Sequence, residues 1–477
     1  VSRILLVNPP FYRFLGSHYN GNNLGIAYIA SVLNQNNHTA YVYNADFMDI
    51  YEYKRLKDIF ETFNDYKKYF DNPNEYPIWD DVVNKILEFN PDWIGYTSYT
   101  ANVKTIDILS AKVRQKAPEI RQVVGGPHAT LDQGLLSRLA NIDYTVSREG
   151  EYVMLDLVNG KDLKSIKGLS FRDEDGFIHN SGDSDALNID TIPLPERDKL
   201  WGVSLEQKKM VDVSYVITIR GCPASCLYCS SPFHWKRNAT RLRSPENVIE
   251  ELKLIKQNYW YDKQYDYSAS GNVGHKNKLI IKDNTIVYFV DDVFSINKKR
   301  VKKLLRMMID NNLNMPFKCE IRADQLDEEI CELLHAANCH RAKVGFESGS
   351  NKILKQIKKG ETREQMMHGA SLLKKANVPF TAYFMTGFQN ETNEDLKQTI
   401  DFAKKIEADY YSLSILAPYY GTGMYFDLIK QGYKLDKEPW EYFYHQSGKL
   451  MINSNLDENL IKEYLQLNET INGKGYI

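Results

Sequence analysis

Three cysteines, Cys222, Cys226 and Cys229, fall within eight residues in the stretch Ile219-Arg220-Gly221-Cys222-Pro223-Ala224-Ser225-Cys226-Leu227-Tyr228-Cys229-Ser230-Ser231-Pro232. Three thiolates this close can each bind one iron of a [4Fe–4S] cube. The fourth iron then lacks a neighbouring cysteine, and an open metal position is what a catalytic centre needs. Zinc is the alternative. A structural zinc site takes four Cys or His ligands; His234 is the one nearby candidate for the fourth, and no second C-x-x-C pair follows. No cysteine precedes Cys222, and Cys319, Cys331 and Cys339 are scattered later. A secreted disulfide framework would spread its cysteines through the chain, so the tight group points to metal. Cys331 and Cys339 read as eight apart on one helix, roughly 12 Å along its axis and too far to share a small metal site. Cys319 reads as a strand residue pointing into a barrel.

The elements that must position this loop are those of an α/β protein. From Val213 the pattern gives strands at Val213–Ile219, Ile286–Val290, Pro316–Ile321, Ala342–Phe346, Phe380–Thr386 and Tyr410–Leu416. Helices lie between them. Ser244 is an N-cap with Pro245 at the first helical position, and Val248, Leu252, Ile255 and Tyr259 mark one face. Thr362 with Gln365 fits a capping box, and Leu396, Ile400, Ala403 and Ile406 share a helical spacing. Six strand–helix units predict a partial parallel (β/α)6 barrel of TIM type, with its site at the strands' C-terminal ends. The cysteine loop follows the first of these strands.

The first 150 residues carry a separate alternation: strands at Arg3–Val7, Ala40–Asn44, Trp93–Thr97, Arg121–Val124 and Asp143–Val146, with helices at Leu24–Leu33, Thr105–Lys116 and Gln133–Leu139. This predicts a doubly wound parallel sheet. The expected domains are 1–150 (Rossmann-like), 151–209 (linker), 210–425 (barrel) and 426–477 (C-terminal extension). Tyr51–Asp80 reads as an inserted helical excursion. The Tyr-rich stretch Tyr259–Asn284 and the patch Trp440–His445 read either as lids or as core aromatics.

The 477 residues are 43% hydrophobic and 26% charged with a formal net charge of −2, ordinary for a soluble protein and without the basic excess expected of a nucleic-acid or membrane-surface binder. The opening Ser2–Pro10 is too short an apolar run for a signal peptide, and no stretch suits a membrane span. The expected compartment is the cytoplasm.

The spacing C-x-x-x-C-x-aromatic-C after a first barrel strand resembles the signature of the radical S-adenosylmethionine (SAM) superfamily. The resemblance implies a [4Fe–4S] cluster on Cys222, Cys226 and Cys229, with the open iron chelated by SAM, whose reductive cleavage gives a 5′-deoxyadenosyl radical. It places Tyr228 beside the adenine. It extends over residues 210–425: Val290-Asp291-Asp292-Val293-Phe294 looks like the motif facing the SAM amino group. Cys319-Glu320-Ile321-Arg322-Ala323-Asp324 and Gly345-Phe346-Glu347-Ser348-Gly349-Ser350 stand where the family makes polar SAM contacts, at Glu320, Arg322 and Glu347. Lys355, Lys358 and Gly360 continue the pattern. Gly387-Phe388-Gln389 lacks the usual Pro-Gly, and Tyr420 stands where proline is common.

In the first domain the loops at the strand ends are Asn8-Pro9-Pro10-Phe11, Thr97-Ser98-Tyr99-Thr100 and Gly125-Gly126-Pro127-His128-Ala129-Thr130. No G-x-G-x-x-G follows the first strand. Glycines at 125 and 126 would let a large ligand approach the backbone, with Thr97 and Ser98 available for hydrogen bonds. With Leu24–Ala30 and Arg148-Glu149-Gly150-Glu151, these loops resemble the cobalamin-binding domain that precedes the barrel in one radical SAM class. That likeness implies corrinoid contacts from Asn8, Pro9, Thr97, Ser98, Tyr99, Gly125, Gly126 and His128. The D-x-H-x-x-G motif is missing, so His128 is expected beside the corrinoid tail and not on cobalt, or else as a hydrogen-bonding histidine in a tight loop.

The family resemblance implies a cobalamin-dependent radical SAM enzyme that methylates an unactivated carbon of a small-molecule, natural-product or peptide substrate. An external donor such as flavodoxin or ferredoxin would supply electrons; no nucleic acid is involved. Ring formation or rearrangement without methyl transfer is the alternative within the family, and a corrinoid-binding sensor or carrier the alternative outside enzymes. A tRNA methylthiolation enzyme would carry a further cysteine triad near the N-terminus, which this chain lacks.

Overall fold

The computed structural model describes residues 1–17, 19–49, 62, 66–209, 211, 214–235, 240–259, 286–444, 449–453 and 455–467. They form two compact units, one taking the described residues of 1–50, 61–213 and 438–444 and the other those of 214–437 and 445–477. The Tyr-rich stretch after Tyr259, most of the excursion before Lys68, and His445 lie outside the described residues.

In the first unit, apolar runs such as Ile4-Leu5-Leu6-Val7 are buried throughout, as parallel strands covered on both faces must be. Strands β1 (Arg3–Asn8), β2 (Thr39–Asn44), β3 (Trp93–Thr97), β4 (Arg121–Gly125) and β5 (Tyr144–Val146) pair in parallel. The hairpin β6 (Leu169–Arg172) and β7 (Ile178–Asn180) continues the sheet antiparallel. The strand order is β2-β1-β3-β4-β5-β6-β7. It reverses between β1 and β3, the switch point where doubly wound sheets bind ligands beyond the strands' carboxyl ends.

Two expectations change here. The segment expected to be a linker carries a helix (Glu151–Val158) and the β6–β7 hairpin of this sheet, because Leu169 and Phe171 supply a buried face between turns. The helix expected at Gln133–Leu139 is a 3-10 turn, Leu135–Ser137. Helix forms instead at Pro127–Leu131, with proline in its first turn, and ends at Asp132, whose carboxylate takes the Gly134 N–H at 3.1 Å.

In the second unit, β8 (Tyr215–Val216) opens a six-stranded parallel sheet with β11 (Val287–Phe289), β12 (Phe317–Ile321), β13 (Cys339–Glu347), β14 (Phe380–Thr386) and β15 (Tyr410–Ile415). The order is β15-β14-β13-β12-β11-β8, sequential and unclosed, so the barrel is partial. The expected strand Val213–Ile219 is interrupted: after β8, Ile219–Arg220 (β9) leaves the sheet and pairs antiparallel with Arg241–Leu242 (β10). Helices Pro245–Asn258, Lys298–Asp310, Glu328–Ala336, Arg363–Lys375 and Asn393–Ile406 alternate with the strands. Ser244 accepts from the Asn247 N–H, and Thr362 with Gln365 closes the expected capping box. Val248, Leu252, Leu304, Leu373 and Ile400 share one core with Phe289, Phe317, Val344 and Phe384 of the strands.

Cys319 lies in that sheet–helix core with Cys331 and Cys339, not inside the barrel, because Phe317, Cys319 and Ile321 alternate to the buried side while Lys318 and Glu320 take the other. Cys339 opens β13 and does not share the helix of Cys331. The expected C-terminal extension divides. Helix Glu458–Leu465 sits in the second unit, where the Tyr464 hydroxyl donates to the Ser414 carbonyl at 3.3 Å. In the first unit, the Trp440 ring packs on His128 and Tyr444 on Phe11, each with ring centroids 5.0 Å apart.

Two measurements check this packing. A Cβ on Gly369 would stand 2.7 Å from the Ala323 carbonyl, in the turn that follows Arg322. Gly369→Ala should therefore cost about 1–3 kcal/mol in urea unfolding, the penalty of an overpacked core; a neutral result contradicts the close approach. In the first unit, buried Asp46 accepts the Phe11 and Arg13 N–H groups on Oδ1 at 2.7 and 3.1 Å. Burial pushes its carboxyl up to about 7, against the lowering effect of those bonds. The folded chain thus keeps a proton that the unfolded chain releases from about pH 4, so Asp46 makes stability fall with rising pH up to about 7 and adds no slope above it. Asp46→Asn keeps the accepting oxygen and should flatten that interval; an unchanged slope rejects this origin.

Candidate active site

Cys222, Cys226 and Cys229 lie on one loop, with no disulfide to any of them. Cys222 and Cys226 are buried and Cys229 is half-buried. The loop is held by its backbone: the Cys229 N–H reaches the Cys226 carbonyl at 3.3 Å, Leu227 donates to Ile357 at 3.0 Å, and the Leu227 carbonyl accepts from Met424 at 2.9 Å. Burial raises the Cys229 thiol, and Asp292, Cys226 and Cys222 add to the effect. Burial likewise raises Cys222, with Asp292 and Cys226 contributing. A bound iron would favour the thiolate form, because its charge deprotonates a coordinating thiol outright. Three free thiols grouped in a loop thus fit a cluster.

The sequence-predicted SAM residues gather at the strand ends, with different fates. Asp291, 1% exposed, spends both oxygens internally: Oδ1 accepts the Thr218 and Ile219 N–H groups at 2.6 and 2.8 Å, and Oδ2 accepts the Thr218 hydroxyl at 2.6 Å. Its carboxylate is thus sealed within the protein and held by the strand exit before the cysteine loop. Asp292, next along, is exposed and accepts from the Ser231 hydroxyl at 2.6 Å. The surrounding protein raises its carboxyl, while Ser231 works in the opposite direction.

Arg322 donates to Asp324 through Nε and Nη2, both at 3.0 Å, and to the Lys359 carbonyl at 3.0 Å. Buried Lys359 lies 3.2 Å from Glu347 and 3.4 Å from Glu361. Burial opposes its ammonium, but the two carboxylates outweigh it and raise the pKa. Glu347 has a positive φ of 65° and also interacts with the Tyr228 hydroxyl, which burial raises most. Tyr228, Glu347, Lys359 and Arg322 are thus linked around the cysteine loop. Glu320 belongs to a different group, on the sheet face away from the helices. Its carboxylate accepts from the Tyr288 hydroxyl, which in turn accepts from Lys343 Nζ at 2.7 Å, and Lys343 Nζ lies 3.4 Å from Glu320.

Thr218, Ser231, Lys359, Tyr288 and Lys343 were not among the site residues expected from the sequence. Thr218 carried a signal as a polar residue in an apolar strand, and Lys359 sits between two residues of a recognised pattern. Ser231, Tyr288 and Lys343 carried none, since each acts through a residue distant in the chain.

In the first unit, Asn8, Thr97 and Gly125 end β1, β3 and β4 beside the switch point. Asn8 donates to Asn44 at 2.9 Å and Pro9 is buried. Ser98 is consumed by the neighbouring loop: its hydroxyl donates to the Gly125 carbonyl at 2.7 Å and accepts from the Ala129 N–H at 3.1 Å. At Gly126, with φ 95°, a Cβ would stand 2.8 Å from Ser98 N and 2.9 Å from Thr97 Oγ1. Glycine is needed there so that one loop can close on the other. His128 is fully buried, with Nδ1 3.0 Å from the Thr100 hydroxyl, and burial pushes its pKa down to about 3. The Thr100 contact is one that a hydrogen-bonding histidine in a tight loop would make. Thr97 is half-buried and Tyr99 is 49% exposed, so these two are less enclosed than Ser98 and His128. Among the described residues no helix is long and apolar enough to cross a membrane.

Comparison with known proteins accords with both units. Residues 216–403 match the radical SAM superfamily, and residues 16–158 match the B12 binding domain. An uncharacterized methyltransferase of Pyrococcus horikoshii is 30% identical over 437 residues, 89% of this chain and 83% of the relative. The anaerobic magnesium-protoporphyrin IX monomethyl ester cyclase of Rubrivivax gelatinosus is 23% identical, over 76% of this chain and 63% of its own. Among solved structures, the radical S-adenosylmethionine methyltransferase TsrM of Kitasatospora setae superposes with a TM-score of 0.65 at 17% identity, covering 90% of this chain and 76% of that one. The chain therefore belongs to the radical SAM superfamily, in the class with a B12-binding domain ahead of the barrel, and is an enzyme whose cofactors are a [4Fe–4S] cluster, SAM and cobalamin.

Proposed function

We propose that this enzyme methylates an unactivated carbon of a small-molecule or peptide substrate, drawing electrons from an external flavodoxin- or ferredoxin-type donor. The observation that carries the reading is the loop of three free thiols beside Asp292, the one carboxylate of its motif that remains exposed. When bound, the cluster supplies the electron that splits SAM and cobalamin supplies the methyl group. Cys222, Cys226 and Cys229 would hold three irons and leave one for SAM. Asp292 would accept hydrogen bonds from the SAM ammonium, a charge-assisted contact. Tyr228 would flank the adenine, with Glu347 fixed against it by Lys359, and Arg322 would contribute positive charge near the SAM carboxylate. Thr97 and Tyr99 would face the corrinoid.

Glu320 we assign to the substrate and not to SAM. Its bonded partners are Tyr288 and Lys343 on the helix-free face of the sheet, the face a substrate inside the barrel would meet.

The likeness to the Rubrivivax cyclase favours a second reading, ring closure without methyl transfer. Products separate the two. Protein reconstituted without oxygen with iron, sulfide and cobalamin, then given SAM, a low-potential reductant such as reduced flavodoxin and a candidate substrate, should form S-adenosylhomocysteine together with 5′-deoxyadenosine if it methylates, and only the latter if it closes a ring. Cys226→Ala should lose the cluster and all SAM cleavage. Zinc in place of iron in the wild-type protein, or cleavage that survives Cys226→Ala, would reject the proposal.

A further inference from the structure

The pair Asp291-Asp292 sits at the exit of β11, and its two carboxylates have opposite surroundings. Asp292 is exposed. Asp291 is sealed, and its three accepted bonds all come from Thr218 and Ile219, 73 and 72 residues earlier in the chain. Thr218 lies just after β8, where the chain leaves the sheet and turns into the cysteine loop; Cys222 is four residues on.

Thr218 is gripped from the other side as well. Its carbonyl accepts from the Arg243 N–H at 3.0 Å and from Arg300 Nη2 at 3.2 Å. Arg243 Nη1 donates to the Ile217 carbonyl at 2.7 Å, and Arg300 Nε donates to the Arg243 carbonyl at 2.7 Å. Arg243 is itself paired with buried Glu251. The amide, hydroxyl and carbonyl of Thr218 are therefore all engaged by buried side chains or backbone. β9 then continues from this clamp into its pairing with β10. A loop that must present three sulfurs to a cube needs such a base, because groups supporting metal ligands set ligand orientation and tune the metal, and tolerances near 0.5 Å separate a working site from a loose one.

We propose that the two aspartates divide the work: Asp291 is a positioning residue that clamps Thr218 and Ile219 and so sets the start of the cysteine loop, while only Asp292 faces SAM. This rests on the reading of Cys222, Cys226 and Cys229 as cluster ligands. It makes Asp291 matter through hydrogen-bond acceptance and not through its charge. An asparagine keeps one oxygen for the Thr218 and Ile219 N–H groups, and its amide can donate to the Thr218 hydroxyl, which rotates to accept. An alanine leaves two buried N–H groups and a hydroxyl without partners, a costly state.

The experiment compares Asp291→Ala, Asp291→Asn, Asp292→Asn and Thr218→Val with the wild-type chain, each reconstituted anaerobically with iron, sulfide and cobalamin. The readouts are iron retained after desalting, the midpoint potential and electron paramagnetic resonance spectrum of the reduced cluster without SAM, and SAM affinity. Asp291→Ala should lose most of its iron, and the cluster that remains should show an altered spectrum and potential. Asp291→Asn should restore iron, spectrum and SAM affinity to wild-type levels. Asp292→Asn should keep its iron but bind SAM about tenfold or more weakly, the effect of one hydrogen bond to a charged group. Thr218→Val removes only the hydroxyl and should shift the spectrum with the iron retained; it carries the test if Asp291→Ala does not fold.

The proposal is overturned if Asp291→Asn keeps its iron and spectrum yet binds SAM as weakly as Asp292→Asn. It is also overturned if Asp291→Ala or Thr218→Val leaves the cluster spectrum and potential untouched. A wild-type chain that takes up no cluster sinks the proposed function with it, whereas a normal wild-type cluster indifferent to Asp291 sinks only this inference.

Discussion

On the proposed reading, three sulfurs must ionise side by side in a partly buried loop, and that constraint governs the strand ends around it. Each thiolate raises the cost of the next, as Cys229 registers through Asp292, Cys226 and Cys222 in addition to burial. Iron offsets that repulsion once bound, but the polypeptide must hold the loop without relying on it. It does so with backbone hydrogen bonds from outside the loop, at Ile357 and Met424, and with the clamp on Thr218 before it. None of these anchors is a sulfur, so their geometry does not depend on the metal's presence.

The same economy governs the other strand ends. Polar residues there serve two competing purposes, closing the loops on one another and facing a ligand, and most are committed to the first. Asp291, Ser98, Gly126 and His128 all sit where a ligand contact was expected, and all are spent on neighbouring loops. A buried polar atom must find a partner within the protein, so residues at a crowded strand end are claimed by the next loop unless solvent or ligand reaches them. Asp292, Thr97 and Tyr99 are what remains once that internal demand is met.

Much of the architecture was legible in the residues because it rests on local signals. Trp93–Thr97 and Phe380–Thr386 are apolar runs bounded by polar turns, and both form strands with those limits. Thr362 and Gln365 are three apart, within reach of a capping box. The cysteine spacing is equally local. What was not legible depends on distant pairing: Asp291 meets Thr218 across the barrel's first crossover, and β6 and β7 earn their place only by adding to a sheet edge already built. Cys319 misled for another reason. A barrel interior is ordinarily apolar, so a cysteine between Lys318 and Glu320 invites an inward assignment. Here the inner face carries the polar residues, and the apolar ones pack against the helices.

That reversal bears on the chemistry. A TIM-type barrel whose interior is filled by branched apolar side chains is a packed core and admits no substrate. In this sheet the helix-free face carries Tyr288, Glu320, Lys343 and Tyr383, with Lys343 lying 4.2 Å from the Tyr288 ring centroid and 5.8 Å from that of Tyr383. Burial lowers the Lys343 ammonium pKa, while Glu320 holds it up. The pair is half-buried, so desolvation offsets part of its attraction. On the proposed reading, the group forms a polar floor beneath the strand ends, where Glu320 and Lys343 would orient a substrate that itself both donates and accepts hydrogen bonds.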